Sequence, residues 1–463
     1  MRIRKYDFDY SRRVMLEKLA KGAAVGGVLA PIFPTMAAGQ STTKAYPDEL
    51  ISIEVNTKGA IKVGDIVSSA NVEHVKHLMD PIMYDQVKNQ GRRIKIVGPT
   101  TDMSTLWPQR YLKATLENAG RGGFDADGNT IDTKTGGPWV GGNPFPECKT
   151  GAEAMSNLCV SWGRHDYEQY AVRDWDINPD GSQAYQYDFV WAELQTIART
   201  GKNKYFRDQK HLLRYNSVWF TSPQEQAGTS ILSTWYADER KFPDLYGYLP
   251  QFRRVRQFPT NQRFEPLVPG ITLFLSDGWT AGDPRLTWGN YKIVDRKPHL
   301  GALKGNWWGE RHENWEPNRH GGPKGETFFD TVMELVPEVI VVDSEPTGYP
   351  RAPVGLRRNW IDVRNGSCVG YVTYDRQGKV WKQVEVSTSQ KIDGNTVLKD
   401  PEGHPEWSWN FVHIQDLQST RMSALVQAKQ IRGGYKTLYD GVDEEEYYEK
   451  YLTINAITRL GAV

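Results

Sequence analysis

The sequence predicts a mainly β protein built on one large curved sheet, with additional helices near the N-terminus. Aromatic residues are frequent, with 16 Trp and 23 Tyr in 463 residues, and aromatic side chains favour strands. The 43 glycines and 26 prolines supply many turns. From residue 185 onward, segments rich in aromatic and β-branched residues follow one another without helical patterns between them, which indicates a mostly antiparallel sheet.

The N-terminal segment has the parts of an export signal. Arg12 and Arg13 precede a Gly- and Ala-rich apolar stretch, and the order "SRRVML" resembles the twin-arginine signal, whose pathway exports folded proteins. We therefore divide the chain into a signal peptide (1–38), an N-terminal extension (39–70) and a single β domain (71–463). The expected location is the bacterial periplasm.

Helical patterns precede the strands. Apolar residues at spacings of three and four predict a helix over 71–90, with Asn71 as a cap and Pro81 as a kink or end. A short strand over 92–97 and a second helix over 108–119 follow. Thr150 and Glu153 form a capping-box pattern, which predicts the start of a third helix.

The clearest strand pair lies around the turn "DRQG". Alternation in the second strand places Val380, Val384 and Val386 on one face and Trp381, Gln383 and Glu385 on the other. A further strand pair is predicted between residues 407 and 438, and a short helix at the C-terminus.

Charge and cysteine content narrow the function classes. The chain carries 57 Lys and Arg against 56 Asp and Glu, and this balance excludes a typical nucleic-acid-binding protein, which has a basic excess. The three cysteines are Cys148, Cys159 and Cys368. Cys148 and Cys159 are able to pair in an oxidising compartment, but the sequence leaves this pairing open.

Templates for catalysis and cofactor binding find no match in the chain. It has no G-x-S-x-G elbow, no H-E-x-x-H, no P-loop and no dinucleotide fingerprint after a strand. His312 and His320 share a loop with three glutamates, a set that suits a divalent metal, although a solvated polar loop explains it better. We expect no enzyme activity, no cofactor and no metal.

Three segments resemble a bacterial family known as domain of unknown function 1329. "GGNPFPECKTGAEAMSNL" is similar to the family's Gly-x-Pro-Phe-Pro segment. "LPQFRRVRQFP", followed by "LSDGWTAGDPRLTWGNYKIV", resembles its arginine-rich strand and the turn after it, and "YDRQGKVWKQ" resembles its hairpin. The resemblance runs from about residue 65 to the end.

The resemblance implies a LolA/LolB-like fold, an open antiparallel β-barrel wrapped around a helix, whose apolar interior holds a lipid or another hydrophobic molecule. Family members tend to occur with an inner-membrane transporter of the resistance-nodulation-division (RND) type and an outer-membrane protein. The implied function is a periplasmic carrier that shuttles its cargo between the two membranes, and burial of apolar surface at about 25 cal/mol per Å² provides the driving force.

Candidate contact residues follow from strand positions. The candidates for the ligand-binding interior are Phe189, Trp191, Val218, Phe220, Trp235, Leu273 and Val341. The candidates for a headgroup or partner contact are Arg253, Arg254 and Arg256. Two alternatives remain open: a cofactor- or metal-dependent periplasmic enzyme, suggested by the export signal and the His312/His320 loop, and a polysaccharide-binding protein, suggested by the tryptophans.

Overall fold

The computed structural model describes residues 2–3, 10–11, 48–259, 263–280 and 282–461. Its strands, in chain order, are β1 (Arg2–Ile3), β2 (Tyr10–Ser11), β3 (Ile66–Val67), β4 (Ile94–Ile96), β5 (Gly122–Phe124), β6 (Thr130–Asp132), β7 (Gly137–Pro138), β8 (Tyr167–Ile177), β9 (Gln183–Gln195), β10 (Leu212–Ser222), β11 (Ser230–Tyr236), β12 (Asp244–Leu249), β13 (Arg254–Gln257), β14 (Gly289–Gly301), β15 (Arg319–His320), β16 (Phe328–Phe329), β17 (Thr331–Glu345), β18 (Val354–Asp362), β19 (Cys368–Asp375), β20 (Val380–Gln390), β21 (Ile392–Asp393), β22 (Thr396–Val397), β23 (Trp407–Asp416), β24 (Arg421–Gln427) and β25 (Leu438–Tyr439).

One sheet of 16 strands dominates the described part of the chain. Its order is β13-β12-β11-β10-β9-β8-β24-β23-β20-β19-β18-β17-β4-β3, with β14 also paired to β17 and β25 to β8. Every neighbouring pair is antiparallel except β17 with β4. Within the described residues the two ends, β13 and β3, do not pair with each other, so the sheet is open. The predicted mainly β, open and curved architecture is confirmed.

The α-helices are short and lie before, between and after the strands. They are α1 (Asp48–Ile51), α2 (Ile53–Asn56), α3 (Pro81–Asn89), α4 (Gln109–Glu117), α5 (Gly151–Val160), α6 (Glu444–Tyr451) and α7 (Ile454–Gly461). The predicted strand over 92–97 and helix over 108–119 correspond to β4 and α4. The predicted C-terminal helix is two helices, α6 and α7.

Helix α5 packs on one face of the sheet, which we call the inner face. Ala154, Met155 and Leu158 contact a buried cluster that contains Ile340 of β17 and Ile361 of β18. The capping box begins this helix as predicted.

In that box, Thr150 Oγ1 accepts a hydrogen bond from Glu153 N at 3.2 Å, and the Glu153 carboxylate accepts one from Thr150 N at 3.1 Å. The sheet therefore curves around a helix whose start is fixed locally by the sequence.

The opposite, outer face is covered by residues that precede β4 and by the helices that follow β25. Val72 and Leu78 belong to a buried cluster with Phe411 of β23 and Val426 of β24. At the other end, the Trp219 ring of β10 stacks on the Tyr451 ring with centroids 5.1 Å apart. Residues before position 71 also contribute, because Ile53 and Ile61 are buried in the first of these clusters.

The helix predicted over 71–90 begins later than expected. Residues 72–74 and 76–78 form two short 3-10 turns, and the α-helix starts at Pro81. Asp80 caps it by accepting hydrogen bonds from Ile82 N and Met83 N at 2.8 and 2.9 Å. Pro81 therefore starts the helix rather than ending it, because the first helical position does not need the amide hydrogen that proline lacks.

The predicted hairpin forms from β19 and β20, but its face assignment is wrong for two residues. Val384 and Val386 share the inner face, whereas Val380 packs with an outer cluster. Trp381, predicted on the face of Gln383 and Glu385, packs against Phe274 on the inner side. The register between β19 and β20 shifts between Thr373 and Tyr374, which makes Trp381 the extra residue of a β-bulge. A bulge inverts the alternation beyond it, and the sequence pattern alone did not reveal it.

The predicted signal peptide lies in a region that the structure covers only in part. Residues 1–38, predicted as a signal peptide, lie outside the described residues except for the two-stranded ladder of β1 and β2. Among the described residues, no helix has the length and apolar character needed to cross a membrane.

Candidate functional site

An apolar cavity lies between the inner face of the sheet and the end of α5. Its volume is about 70 Å³, counted as the space that the centres of water molecules can occupy, within a crevice of about 820 Å³. Its walls are mainly aromatic and aliphatic: Leu158, Trp162, Gly163, Tyr170, Val172, Phe189, Trp191, Leu273, Asp277, Gly278, Ser367, Cys368, Val384, Val386, Thr388, Trp407, Trp409, Val412 and Leu425.

Strand alternation builds this wall. On β8 and β9, Tyr170 lies opposite Trp191, and Val172 lies opposite Phe189. The intervening Val190 belongs to a cluster on the outer face. Because side chains alternate between faces with period two, one register places all four cavity residues side by side.

A strap formed by residues 273–278 closes one side of the cavity. The Lys382 ammonium donates a hydrogen bond to Asp277 Oδ2 at 2.8 Å, and the Tyr371 hydroxyl donates one to Asp277 Oδ1 at 2.8 Å. Arg357 donates to the carbonyl oxygen of Ser276 at 2.5 Å. Burial lowers the pKa of Lys382, and Asp277 acts in the opposite direction. The strap is thus held to the sheet by buried charged groups.

A polar compartment adjoins the apolar cavity. The two share Trp162, Trp191 and Gly278 as walls, and the compartment has room for about 20 Å³ of water centres. Its remaining walls are Cys159, Glu193, Arg214, Asn216, Ser233, Trp235, Arg263, Leu275, Gly282 and Asp283.

Charged groups in the compartment are paired and buried. Arg214 Nη1 lies 3.2 Å from Glu193 Oε1. Arg263 pairs with Asp283, and Trp288 Nε1 donates to Asp283 Oδ2 at 2.8 Å. Burial raises the pKa of Glu193 to about 7, although Arg214 acts to lower it.

A second buried acid, Glu168, lies directly opposite Glu193 on the neighbouring strand. Burial, and then the charge of Glu193, raises its pKa well above the usual range. The Tyr170 hydroxyl donates to Glu168 Oε2 at 2.8 Å. A Cβ atom at position 163 would clash with both Glu168 carboxylate oxygens, so a larger residue there would displace that carboxylate.

The seven predicted interior residues fall into four groups. Phe189, Trp191 and Leu273 line the apolar cavity, and Trp235 lines the polar compartment. Val218 and Phe220 are buried in the same inner cluster as Phe189 but are not part of the cavity wall.

The seventh, Val341, lies on the outer face in a cluster with Trp360. It alternates with Ile340 and Val342, which face α5. A role for the seven predicted residues in ligand binding stays a prediction.

The three predicted arginines lie at one end of the sheet. Arg254 and Arg256 belong to the end strand β13, and all three are exposed. Arg253 has a φ of 47°, in the left-handed region, where the short turn before β13 ends. The Arg256 guanidinium lies 4.4 Å from the centroid of the half-exposed Phe252 ring.

Sequence reasoning missed most of the cavity wall. Tyr170, Trp162 and Trp409 were not proposed, although Tyr170 and Val172 alternate on β8 as cavity residues should. Val384 and Val386 were placed on a common face but not assigned to the interior. The missing signal was the curvature that brings β20 and β9 to the same cavity.

The His312/His320 loop takes a different form from the metal site considered above. His320 Nδ1 lies 2.7 Å from Asp330 Oδ1, and His320 Nε2 accepts a hydrogen bond from Arg93 N at 3.3 Å. Among the described residues, no three His, Cys, Asp or Glu side chains are grouped in a way that would hold a metal ion. Cys148, Cys159 and Cys368 are buried and unbridged, so Cys148 and Cys159 are not paired.

Solved structures similar to this chain at low sequence identity include the following three. A putative outer membrane lipoprotein-sorting protein domain from Vibrio parahaemolyticus is 13% identical, with a TM-score of 0.42, over 67% of this chain and 98% of that one. A DUF1329 family protein from Desulfovibrio piger is 12% identical, with a TM-score of 0.42, over 64% and 95%. A LolA superfamily protein from Nitrosomonas europaea is 14% identical, with a TM-score of 0.34, over 64% and 97%.

The search of curated proteins found no significant match. The family model described as "Protein of unknown function (DUF1329)" matches residues 66–457, which is most of the chain. This range contains the three segments whose resemblance was noted from the sequence, together with all the residues that line the apolar cavity. The chain belongs to the DUF1329 family.

Proposed function

We propose that this protein is a periplasmic carrier of a lipid or another hydrophobic molecule. The observation that supports the proposal is the apolar cavity between α5 and the inner face. Tyr170, Phe189, Trp191 and Val386 present hydrocarbon surface to it, and a bound hydrocarbon gains about 25 cal/mol for each Å² removed from water. An exported chain with this interior is suited to carry cargo across the aqueous space between two membranes.

The size of the cavity sets a condition on the cargo. A buried water needs about 10–15 Å³ measured in this way, so 70 Å³ accommodates roughly five water-sized groups. A short alkyl chain fits that space. A longer chain enters only if wall side chains or the strap over residues 273–278 move, which makes the strap the expected entrance.

The transport route and the export route belong to the same proposal. The exposed arginines at 253, 254 and 256 are suited to contact an acidic surface, and we assign them to docking on a membrane partner, an RND-type inner-membrane transporter or an outer-membrane protein. Replacing Arg254 and Arg256 with Gln should weaken co-purification with such a partner and reduce its salt dependence. Unchanged capture at all salt concentrations would remove the docking assignment while leaving the cavity assignment intact.

The cavity is tested with a small hydrophobic probe of matching size, benzene, titrated calorimetrically into the full chain. Val386→Phe adds a ring where Val386 now lines the cavity and should weaken binding at least tenfold. Val386→Ala enlarges the cavity and should preserve or strengthen binding. The matched control is Val294→Phe on β14, where the side chain is 39% exposed.

Circular dichroism and urea unfolding establish that each variant is folded. Equal probe affinity in the wild type, Val386→Phe and Val294→Phe would overturn the proposal, because the probe would then bind outside the cavity.

The two alternative functions gain no specific support from the geometry. A polysaccharide-binding surface would present exposed tryptophans for stacking on sugar rings. Every tryptophan whose side chain is described is buried or half-buried. The enzyme alternative rested on the His312/His320 loop, whose arrangement is given above.

A further inference from the structure

The polar compartment beside the cavity has a size and chemistry that select a particular head group. It touches the apolar cavity through Trp162 and Trp191, whose rings meet edge to face with centroids 6.3 Å apart. A ligand lying in the cavity therefore has a polar end within reach of the compartment.

We propose that the compartment binds the hydroxyl group of a neutral alcohol whose hydrocarbon lies in the apolar cavity. This inference rests on the proposed carrier function and deepens it by naming the chemical class of the cargo.

The size of the compartment favours a hydroxyl. About 20 Å³ of space for water centres is enough for roughly one water-sized group, since one such group needs about 10–15 Å³. A hydroxyl is the size of a water molecule. A phosphate, a phosphodiester head group or a sugar is several times larger and requires the buried wall residues to separate.

A buried hydrogen-bond donor in the compartment also favours a hydroxyl. Arg214 is 2% exposed, and its Nε has no hydrogen-bond partner among the described residues. The other two nitrogens of the same guanidinium are used, by Glu193 and by the carbonyl oxygen of Cys159 at 2.5 Å. A buried donor without an acceptor costs about 1–3 kcal/mol, so an oxygen supplied by a ligand is favourable here.

The charges in the compartment also favour a neutral head group. Its lining holds two carboxylates, Glu193 and Asp283, and each already pairs with a guanidinium, Arg214 or Arg263. A carboxylate or phosphate head would therefore be buried without a counter-charge, which is costly. An ammonium head offers no acceptor to Arg214 Nε. A hydroxyl donates to a carboxylate oxygen and accepts from Arg214 at once.

Other titratable groups lie around Glu193. They are Glu168, which is opposite it on β8, Tyr170, Cys159 on α5, the Arg263–Asp283 pair, and Asp440, which lies 3.3 Å from His165. Burial raises the pKa of Glu168, which favours its neutral form. Asp283 is paired with Arg263 and accepts a hydrogen bond from Trp288 Nε1.

The test uses three ligands of equal chain length that match the five groups of the cavity: 1-pentanol, pentanoate and pentylammonium, titrated calorimetrically into the full chain at pH 7.4. Pentanol should bind at least tenfold more tightly than either charged compound. Arg214→Met should weaken pentanol binding about tenfold, whereas Arg432→Met, at an exposed position, should leave it unchanged. Glu193→Gln retains the shape of the side chain and should reduce the discrimination against pentanoate several-fold, whereas Glu446→Gln at an exposed position should not.

The outcomes separate this inference from the function on which it rests. If the three compounds bind with equal affinity, or if a charged head binds best, the hydroxyl site is wrong and the carrier function stands. If none binds, both are wrong. Glu193→Gln decides the question even if Arg214→Met does not fold.

Discussion

The buried pair of Lys382 and Asp277 offers a strong test of how the strap over residues 273–278 is held. Their side chains are 1% and 3% exposed, with Nζ and Oδ2 2.8 Å apart. Removing one partner of a buried pair leaves an uncompensated charge and typically costs 3–5 kcal/mol. Asp277 retains hydrogen bonds from the Tyr371 hydroxyl and from Phe274 N, so Lys382→Met should lower the free energy of unfolding by about 3 kcal/mol, near the lower end of that range.

A double-mutant cycle isolates the pair from the rest of the strap. Asp277→Asn removes the charge and keeps one acceptor oxygen, which serves Tyr371 or Phe274 but not both. In the variant carrying both changes no charge is left unpaired, so it should be more stable than the sum of the single losses predicts, by about 2 kcal/mol. Urea unfolding at pH 7 measures all four proteins.

The exposed pair of Lys429 and Glu310, at 2.7 Å, is the matched control and should show a coupling below about 1 kcal/mol. Additive losses in the buried pair, within about 0.5 kcal/mol, would refute the account of how the strap is held.

Three further results are expected. Burial raises the pKa of Glu193 from 4.5 to about 7, so the folded state retains a proton that the unfolded state releases, and stability falls as the pH rises through this window. In Glu193→Gln the free energy of unfolding, measured by urea titration, should fall by up to about 3 kcal/mol less than in the wild type between pH 4.5 and 8. A pH dependence equal to that of the wild type would contradict the raised pKa of Glu193. Because the three cysteines are buried and unbridged, a thiol reagent should titrate three thiols after unfolding in denaturant and far fewer before; a count of one after unfolding would reveal a disulfide. Thr150→Ala should destabilise the protein by about 1 kcal/mol through loss of the α5 cap, and Thr150→Ser, which keeps the hydroxyl, should cost less than half of that.

Local patterns predicted the elements that depend on neighbouring residues. The capping box at Thr150 begins α5, and alternation around "DRQG" predicted β19 and β20. Such features are set by the chain within a few positions, and the sequence contains what is needed to infer them. Pro81 was the exception, because proline is compatible with both the start and the interruption of a helix, and Asp80 decides between them.

The cavity depended on relations between distant residues. Trp191 and Val386 are nearly 200 positions apart and meet only because the sheet curves. Strand parity identified Phe189 and Trp191 as neighbours on one face but could not distinguish the inner face from the outer one, so Val341 was grouped with them. Buried polar pairs such as Glu193 with Arg214 had no sequence signal, because their partners lie on different strands.

The apolar cavity as a binding site is tested most directly by native mass spectrometry of the exported protein, purified from a periplasmic extract and then incubated with a total membrane lipid extract. The account predicts one hydrophobic molecule per chain, released by organic solvent, and its occupancy should fall in Val386→Phe but not in Val294→Phe. A wild-type protein that stays at its ligand-free mass after the incubation would contradict the carrier function.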